Sequence, residues 1–134
     1  MVGCQSIPTR SPEANLLLCR DAQRWAGQVV GDGHCVSLIK RCSGAPATRE
    51  WRPGDVVRNR SIPVGTVIAT FEGDAYPSVT GYHAAIYIKQ DEQGIWVWDQ
   101  WQGVPVHRRL IRWNNPGATP ANTGTAYRVV QTQK

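Results

Sequence analysis

Gly31-Asp32-Gly33-His34-Cys35-Val36-Ser37-Leu38-Ile39-Lys40 is the stretch on which the reading of this chain turns. A glycine-flanked turn runs into a helical pattern, and a cysteine stands where the helix begins. A thiol there meets free backbone N–H groups and the positive end of the helix dipole, and both favour the nucleophilic thiolate. The spacing predicts a helix over His34–Cys42, closed by Gly44 and Pro46, with Cys35, Leu38, Ile39 and Cys42 as its apolar stripe. A small core cysteine would fit the stripe equally well. A nucleophile would need a histidine from elsewhere in the chain.

Working outward toward the N-terminus, residues 1–11 read as irregular. Ser11-Pro12 opens a second helical pattern over 12–26, carrying Ala14, Leu17, Leu18, Ala22 and Trp25 and stopped by Gly27. Toward the C-terminus, residues 51–57 carry a turn signal at Pro53-Gly54 followed by a short strand or helical turn, and from there the period changes to that of strands. Strands are expected at 65–71, 83–88, 95–101, 106–112 and 126–130, with the second and third joined as a hairpin. Helices first and an antiparallel sheet of about five strands after them make an α+β domain.

The 134 residues suit one domain, 1–134, and 41% hydrophobic residues are enough for a core. The net charge of +5 favours an anionic partner. No aromatic RNA-binding signature or basic recognition helix is present, so no nucleic acid is expected. No apolar run reaches the length of a membrane span, and Leu16-Leu17-Leu18 is too short for the core of a signal peptide. The expectation is therefore a chain made in the cytoplasm. The four cysteines contain no Cys-x-x-Cys pair, which argues against zinc. Cys35 and Cys42 would lie roughly 10 Å apart along one helix, too far for a disulfide. Any bridge would join Cys4 with Cys19 or Cys42, or Cys19 with Cys42.

Three histidines could serve as the base. His34 adjoins Cys35, and neighbouring helix side chains diverge by about 100°, so it suits a cleft wall better than proton transfer. His107 lies in a basic strand beside Arg108 and reads as surface. His83 opens an apolar strand after Gly81-Tyr82 and can face a helix N-terminus. Asp99 sits in the markedly apolar strand Trp96–Trp101, where an unpaired carboxylate would be costly, and it can orient the imidazole. The two share a face only if the residue numbers of paired positions have an even sum. Pairing His83 with Asp99 puts Ala85 opposite Val97 and Tyr87 opposite Ile95, with the turn at 89–93.

These motifs resemble those of the papain-like cell-wall amidases and endopeptidases, the NlpC/P60 and CHAP group. Gly33-His34-Cys35-Val36-Ser37-Leu38-Ile39-Lys40 is similar to their cysteine motif, Gly81-Tyr82-His83-Ala84-Ala85-Ile86-Tyr87 to their histidine motif, and Trp98-Asp99-Gln100-Trp101 supplies the third position. Over about residues 12–130 the chain looks most like the type VI secretion amidase effectors, and the third family of these in particular. The resemblance implies a papain-like fold, catalytic Cys35, His83 and Asp99, and no cofactor or metal. It implies an antibacterial toxin that cuts peptidoglycan stem peptides, leaning to the D-alanine–diaminopimelate cross-link. The toxin would pass through the type VI apparatus into a target cell's periplasm and be blocked by a cognate immunity protein. His34, Tyr82, Trp98, Gln100 and Trp101 are the expected substrate-binding residues. His34 departs from the Gln common in CHAP sequences. A non-catalytic wall-binding module and a protein deamidase or transglutaminase-like enzyme are the competing readings.

Overall fold

The computed structural model describes residues 16–132. Its framework is one helix, α1 (Cys35–Ser43), and six strands: β1 (Trp51–Val56), β2 (Val67–Thr70), β3 (Ala84–Gln90), β4 (Gly94–Trp101), β5 (Val104–Arg112) and β6 (Tyr127–Thr132). The strands form a single open sheet in the order β1-β6-β2-β3-β4-β5, with every neighbour antiparallel. The α+β class is as expected from the order of helical and strand patterns.

Strand alternation divides the core in two. Val67, Ala69, Ala84 and Ile86 point to the face covered by α1 through Leu38 and Ile39. Ile68, Ala85, Tyr87, Val97, Ile111 and Tyr127 point to the other face, where Val57 and Trp113 close over them. β2 is buried along its whole length because it carries apolar residues on both sides. Complete burial of a Leu, Ile or Val side chain contributes about 1.5–3 kcal/mol, so the two layers together outweigh any single polar contact in the domain.

Three sequence expectations are corrected. The helix foreseen over 12–26 is not formed by its described part. Leu16 and Leu18 make isolated bridges to Gln131 and Thr66, and only a 3₁₀ turn at Ala22–Trp25 follows. A short leucine run is ambiguous between helix and strand. Here the sheet offered backbone partners: Cys19 N–H donates to Gly65 O at 2.8 Å and Val67 N–H to Leu17 O at 2.9 Å. Residues 1–15, including Cys4 and the irregular lead over 1–11, lie outside the described residues. The Pro53-Gly54 turn is instead part of a sixth strand, β1. It lies at the sheet edge, where proline's missing N–H costs no ladder bond, and its pairing shifts between Pro53 and Val56.

The third correction concerns the β3–β4 hairpin. Tyr87 pairs with Val97 and Ile86 with Trp98, a register two residues away from the expected one. The parity is nevertheless even, so His83 and Asp99 share a face. The extra residue is absorbed as a bulge between Tyr87 and Lys89. Gly94 is needed for close approach, since a Cβ there would stand 2.0 Å from the Ile111 carbonyl oxygen.

Of the three disulfides left open by the sequence, Cys19–Cys42 is the one formed, with Cα atoms 5.2 Å apart. It ties the end of α1 to the segment that bridges to β2. Cross-linking across a sequence separation of 23 residues is worth about 3 kcal/mol on the chain-entropy scale. Urea unfolding with and without reductant should therefore differ by about that amount, and equal midpoints would show that the bridge adds no stability.

Candidate active site

Each wall of the site begins as a local solution to a backbone problem. Gly31 and Gly33 both have left-handed φ, 60° and 89°, and turn the chain into α1. His34 takes the N-cap position without a side-chain cap. Asp32 does that work instead, accepting from the His34 N–H and the Ser37 hydroxyl, and the Ser37 bond is the largest cause of its lowered pKa. Cys35 is thus the first helical residue, where the backbone N–H has no partner within the helix.

The turn is held to the sheet by Gln100. Its carbonyl oxygen accepts from Val30 N–H, and its amide donates to Val30 O and His34 O, all at 2.9 Å. On the opposite wall His83 leads into β3. Its N–H donates to the Thr70 hydroxyl at 3.0 Å, and its carbonyl accepts from Thr70 N–H at 3.0 Å. Asp99 on β4 stands behind it, fully buried, with Oδ2 2.7 Å from His83 Nε2. The pairing leaves Nδ1 as the ring nitrogen available to Cys35.

Two further side chains join this group that the sequence did not single out. The Tyr76 hydroxyl lies 3.5 Å from Cys35 Sγ, and its ring packs on Trp51 at 5.0 Å between centroids. Arg109 donates from Nε and Nη2 to Asp99 Oδ2, at 3.0 and 2.8 Å. Tyr76 belongs to a loop of no periodicity. Arg109 sits in the basic run Arg108-Arg109, whose exposed first member disguises the inward second. His107, read as surface, is part-exposed and places Nε2 3.8 Å from Asp99 Oδ1.

The cleft between the walls has a volume of about 740 Å³. His34, Tyr82 and Trp101, three of the residues named as substrate-binding candidates, line it together with Asp32 and Lys40. Trp101 stands edge-on to His83 with centroids 6.0 Å apart. Two expected lining residues are elsewhere. Gln100 is completely buried with both ends of its amide spent on the turn, and Trp98 packs against the α1-side core. Both side chains alternate away from Asp99, so a strand that aims Asp99 at the site must aim them at the helix layer. Among the described residues, the cluster with metal-ligand chemistry is Cys19, Asp21 and Cys42, and its two sulfurs are bonded to each other.

The electrostatics favour an ion pair. Burial opposes charge on Cys35, but the hydrogen bond and charge of His83, aided by Tyr76, hold its thiol below the ordinary 9.0. Burial likewise opposes charge on His83, yet its hydrogen bonds to Asp99 and Cys35 push it up to about 9. Burial would raise Asp99 too, but His83 and Arg109 keep it below the usual carboxylate range. Burial and the neighbouring Cys35 push the Tyr76 hydroxyl up, so it remains a donor. The thiol, imidazole and carboxyl thus stand in line, each shifted by its neighbours toward its charged form.

An α+β fold with Cys, His and Asp so arranged has the geometry that nucleophilic cysteine chemistry requires. Residues 9–130 match the family described as Domesticated amidase effector 2, and the chain belongs to that family. It is 36% identical over 126 residues to Domesticated amidase effector 2 of Ixodes scapularis, covering 87% of this chain and 86% of that protein. It is 46% identical over 76 residues to the Type VI secretion amidase effector 2 protein of Salmonella typhi. The latter match covers 54% of this chain and spans 57% of that relative's length. The solved structure of Type 6 secretion amidase effector 2 superposes with a TM-score of 0.78 at 33% identity, over 87% of this chain and 95% of that one. The matched family is numbered two, where the motifs had suggested three.

Two pH effects follow. Alkylation of Cys35, read by peptide mass, should stay fast well below the pH at which an ordinary thiol ionises. Its high-pH step should fall near 9, where His83 loses its proton. Asp99→Asn removes an anion that raises His83, so this step should move to lower pH by about one unit. A Cys35 profile with a single ordinary thiol step would exclude the ion pair.

Proposed function

We propose that this chain is a cysteine amidase that hydrolyses peptide bonds in the stems and cross-links of peptidoglycan. In this reading it is an antibacterial toxin, delivered by type VI secretion into the periplasm of a target bacterium and countered by an immunity protein that occupies the cleft. The observation that carries the chemistry is the convergence of Cys35, His83 and Asp99, with the thiol at the start of α1 and within reach of a cleft. Family membership supports the amidase and effector parts. The net charge of +5 suits a polymer bearing carboxylates. Lys40 and Asp32 in the cleft wall offer one charge of each sign to a substrate carrying carboxylates and an amine.

The reaction runs as acyl transfer. The Cys35 thiolate adds to the amide carbonyl, forming an S–C bond and moving the carbonyl electrons onto oxygen. The Cys35 backbone N–H is placed to receive that oxyanion, and the Tyr76 hydroxyl is the nearest side-chain donor. His83 gives its proton to the nitrogen as the C–N bond breaks, and the amine leaves. Water then attacks the thioester while His83 takes its proton, and the acid departs with the thiolate restored. Asp99 remains ionised throughout and holds His83 by Nε2. The lean toward the D-alanine–diaminopimelate bond over the D-glutamate–diaminopimelate bond came from the third-family resemblance, so the assay must distinguish the two.

Purified sacculi incubated with the wild-type protein should release muropeptides whose masses name the bond cut. Cys35→Ser should lower the rate by at least about 10³-fold, since the residues of a nucleophile–base unit act together. Cleavage unchanged in Cys35→Ser would remove the nucleophile assignment.

A further inference from the structure

We infer that Arg109 is a positioning residue of this site, fixing the Asp99 carboxylate against His83 by a two-bond clamp on Oδ2. The role rests on the cysteine-amidase reading above. Asp99 has no exposure to solvent, and its Oδ2 receives His83 Nε2 together with both Nε and Nη2 of Arg109. The concentration on one oxygen is costly, because Oδ1 is buried with no hydrogen-bond partner. An arrangement chosen for stability alone would spread two guanidinium bonds over both oxygens, the usual fork geometry. Here the second oxygen is forgone, and all three bonds hold the one atom that touches the imidazole.

Arg109 is itself anchored. Nη1 donates to Asn122 Oδ1 at 3.1 Å, and the Asn115 amide in turn donates to Asn122 O at 2.9 Å. The guanidinium also lies over the Trp101 ring, 5.0 Å from its centroid, and Trp101 is the residue set edge-on to His83. The side chain thus spans from the loop after β5, through Asp99, to the rim of the cleft. It does not reach the thiol, and its effect passes through Asp99.

Two consequences follow from one cation sharing an oxygen with the imidazolium. His83 is the larger influence that holds Asp99 below the usual carboxylate range against burial, and the cation adds to it. The cation also repels charge on His83, which limits how strongly that ring holds its proton. A general acid must release its proton to the leaving amine, so a histidine opposite an uncompensated buried carboxylate would be too basic to serve well. Besides Asp99, Cys35 from α1 acts on His83 directly; Tyr76 touches Cys35, His107 and Tyr127 neighbour Asp99, and Asp32, His34, Lys40 and Tyr82 line the same cleft. Arg109 is the cation that shares an oxygen of Asp99 with the His83 ring.

The test uses the whole protein, with His83 titrated by NMR of its imidazole and sacculus cleavage followed in parallel. In Arg109→Met the His83 midpoint should rise by about one pH unit. The same variant should lose about tenfold in kcat with KM changed less than about twofold. Arg109→Lys restores the charge but not the fork, so its midpoint should return close to wild type while kcat is only partly recovered. A folded Arg109→Met with wild-type midpoint and kcat, and only a lower Tm, would overturn the proposal. If that variant does not fold, full wild-type kcat in Arg109→Lys overturns the clamp and a partial loss supports it. A wild-type protein inactive on sacculi would overturn the amidase reading alone, because the His83 midpoint decides the clamp without any substrate.

Discussion

Successive residues on a strand point to opposite faces, and this site depends on that constraint at Asp99 and Gln100. Asp99 faces the layer that holds His83. Gln100, the next residue, faces the helix layer and binds the turn before Cys35 through three hydrogen bonds. One strand therefore sets the position of both walls of the candidate site. Gly94 admits β4 close against β5, and the bulge in β3 converts the odd-sum pairing beside the turn into the even-sum pairing that puts His83 and Asp99 together. A slip of one residue in this hairpin would exchange the roles of the two side chains and abolish both contacts.

Burial and charge are in opposition throughout the site, and charge prevails by pairing. Desolvation is the largest influence on Cys35, His83 and Asp99, and in each case it disfavours the ionised form. In each case the neighbours nevertheless shift the group toward its ionised form, in a sequence running from Tyr76 through the thiol, the imidazole and the carboxylate to Arg109. Such an assembly acts as a unit, so removal of one member leaves another buried and uncompensated. The same argument explains why an aspartate stands in an otherwise apolar strand.

Much of the fold was legible. Helical spacing marked α1 to within a residue at each end, and β-branched and aromatic runs marked five of the six strands. β1 was missed because Pro53-Gly54 is turn chemistry anywhere except a sheet edge, and edges are set by tertiary order. The helix over 12–26 was misread where Leu16 and Leu18 bridge to Gln131 and Thr66. Local propensity loses there to a sheet that supplies backbone partners from far along the chain.

What the sequence determined by itself is the order and kind of the groups that line up at the candidate site. A cysteine at a helix start, a histidine at a strand mouth and an aspartate on the next strand follow from periodicity and turn residues, which are local. The tertiary structure alone decided Tyr76 beside the thiol, Arg109 behind Asp99, Gln100 under the turn and Cys19 as the partner of Cys42. These contacts depend on which strands neighbour one another and in what register. Neither is encoded in the spacing of residues within a single element, so a basic strand residue and a loop tyrosine carried no mark of their place in the site.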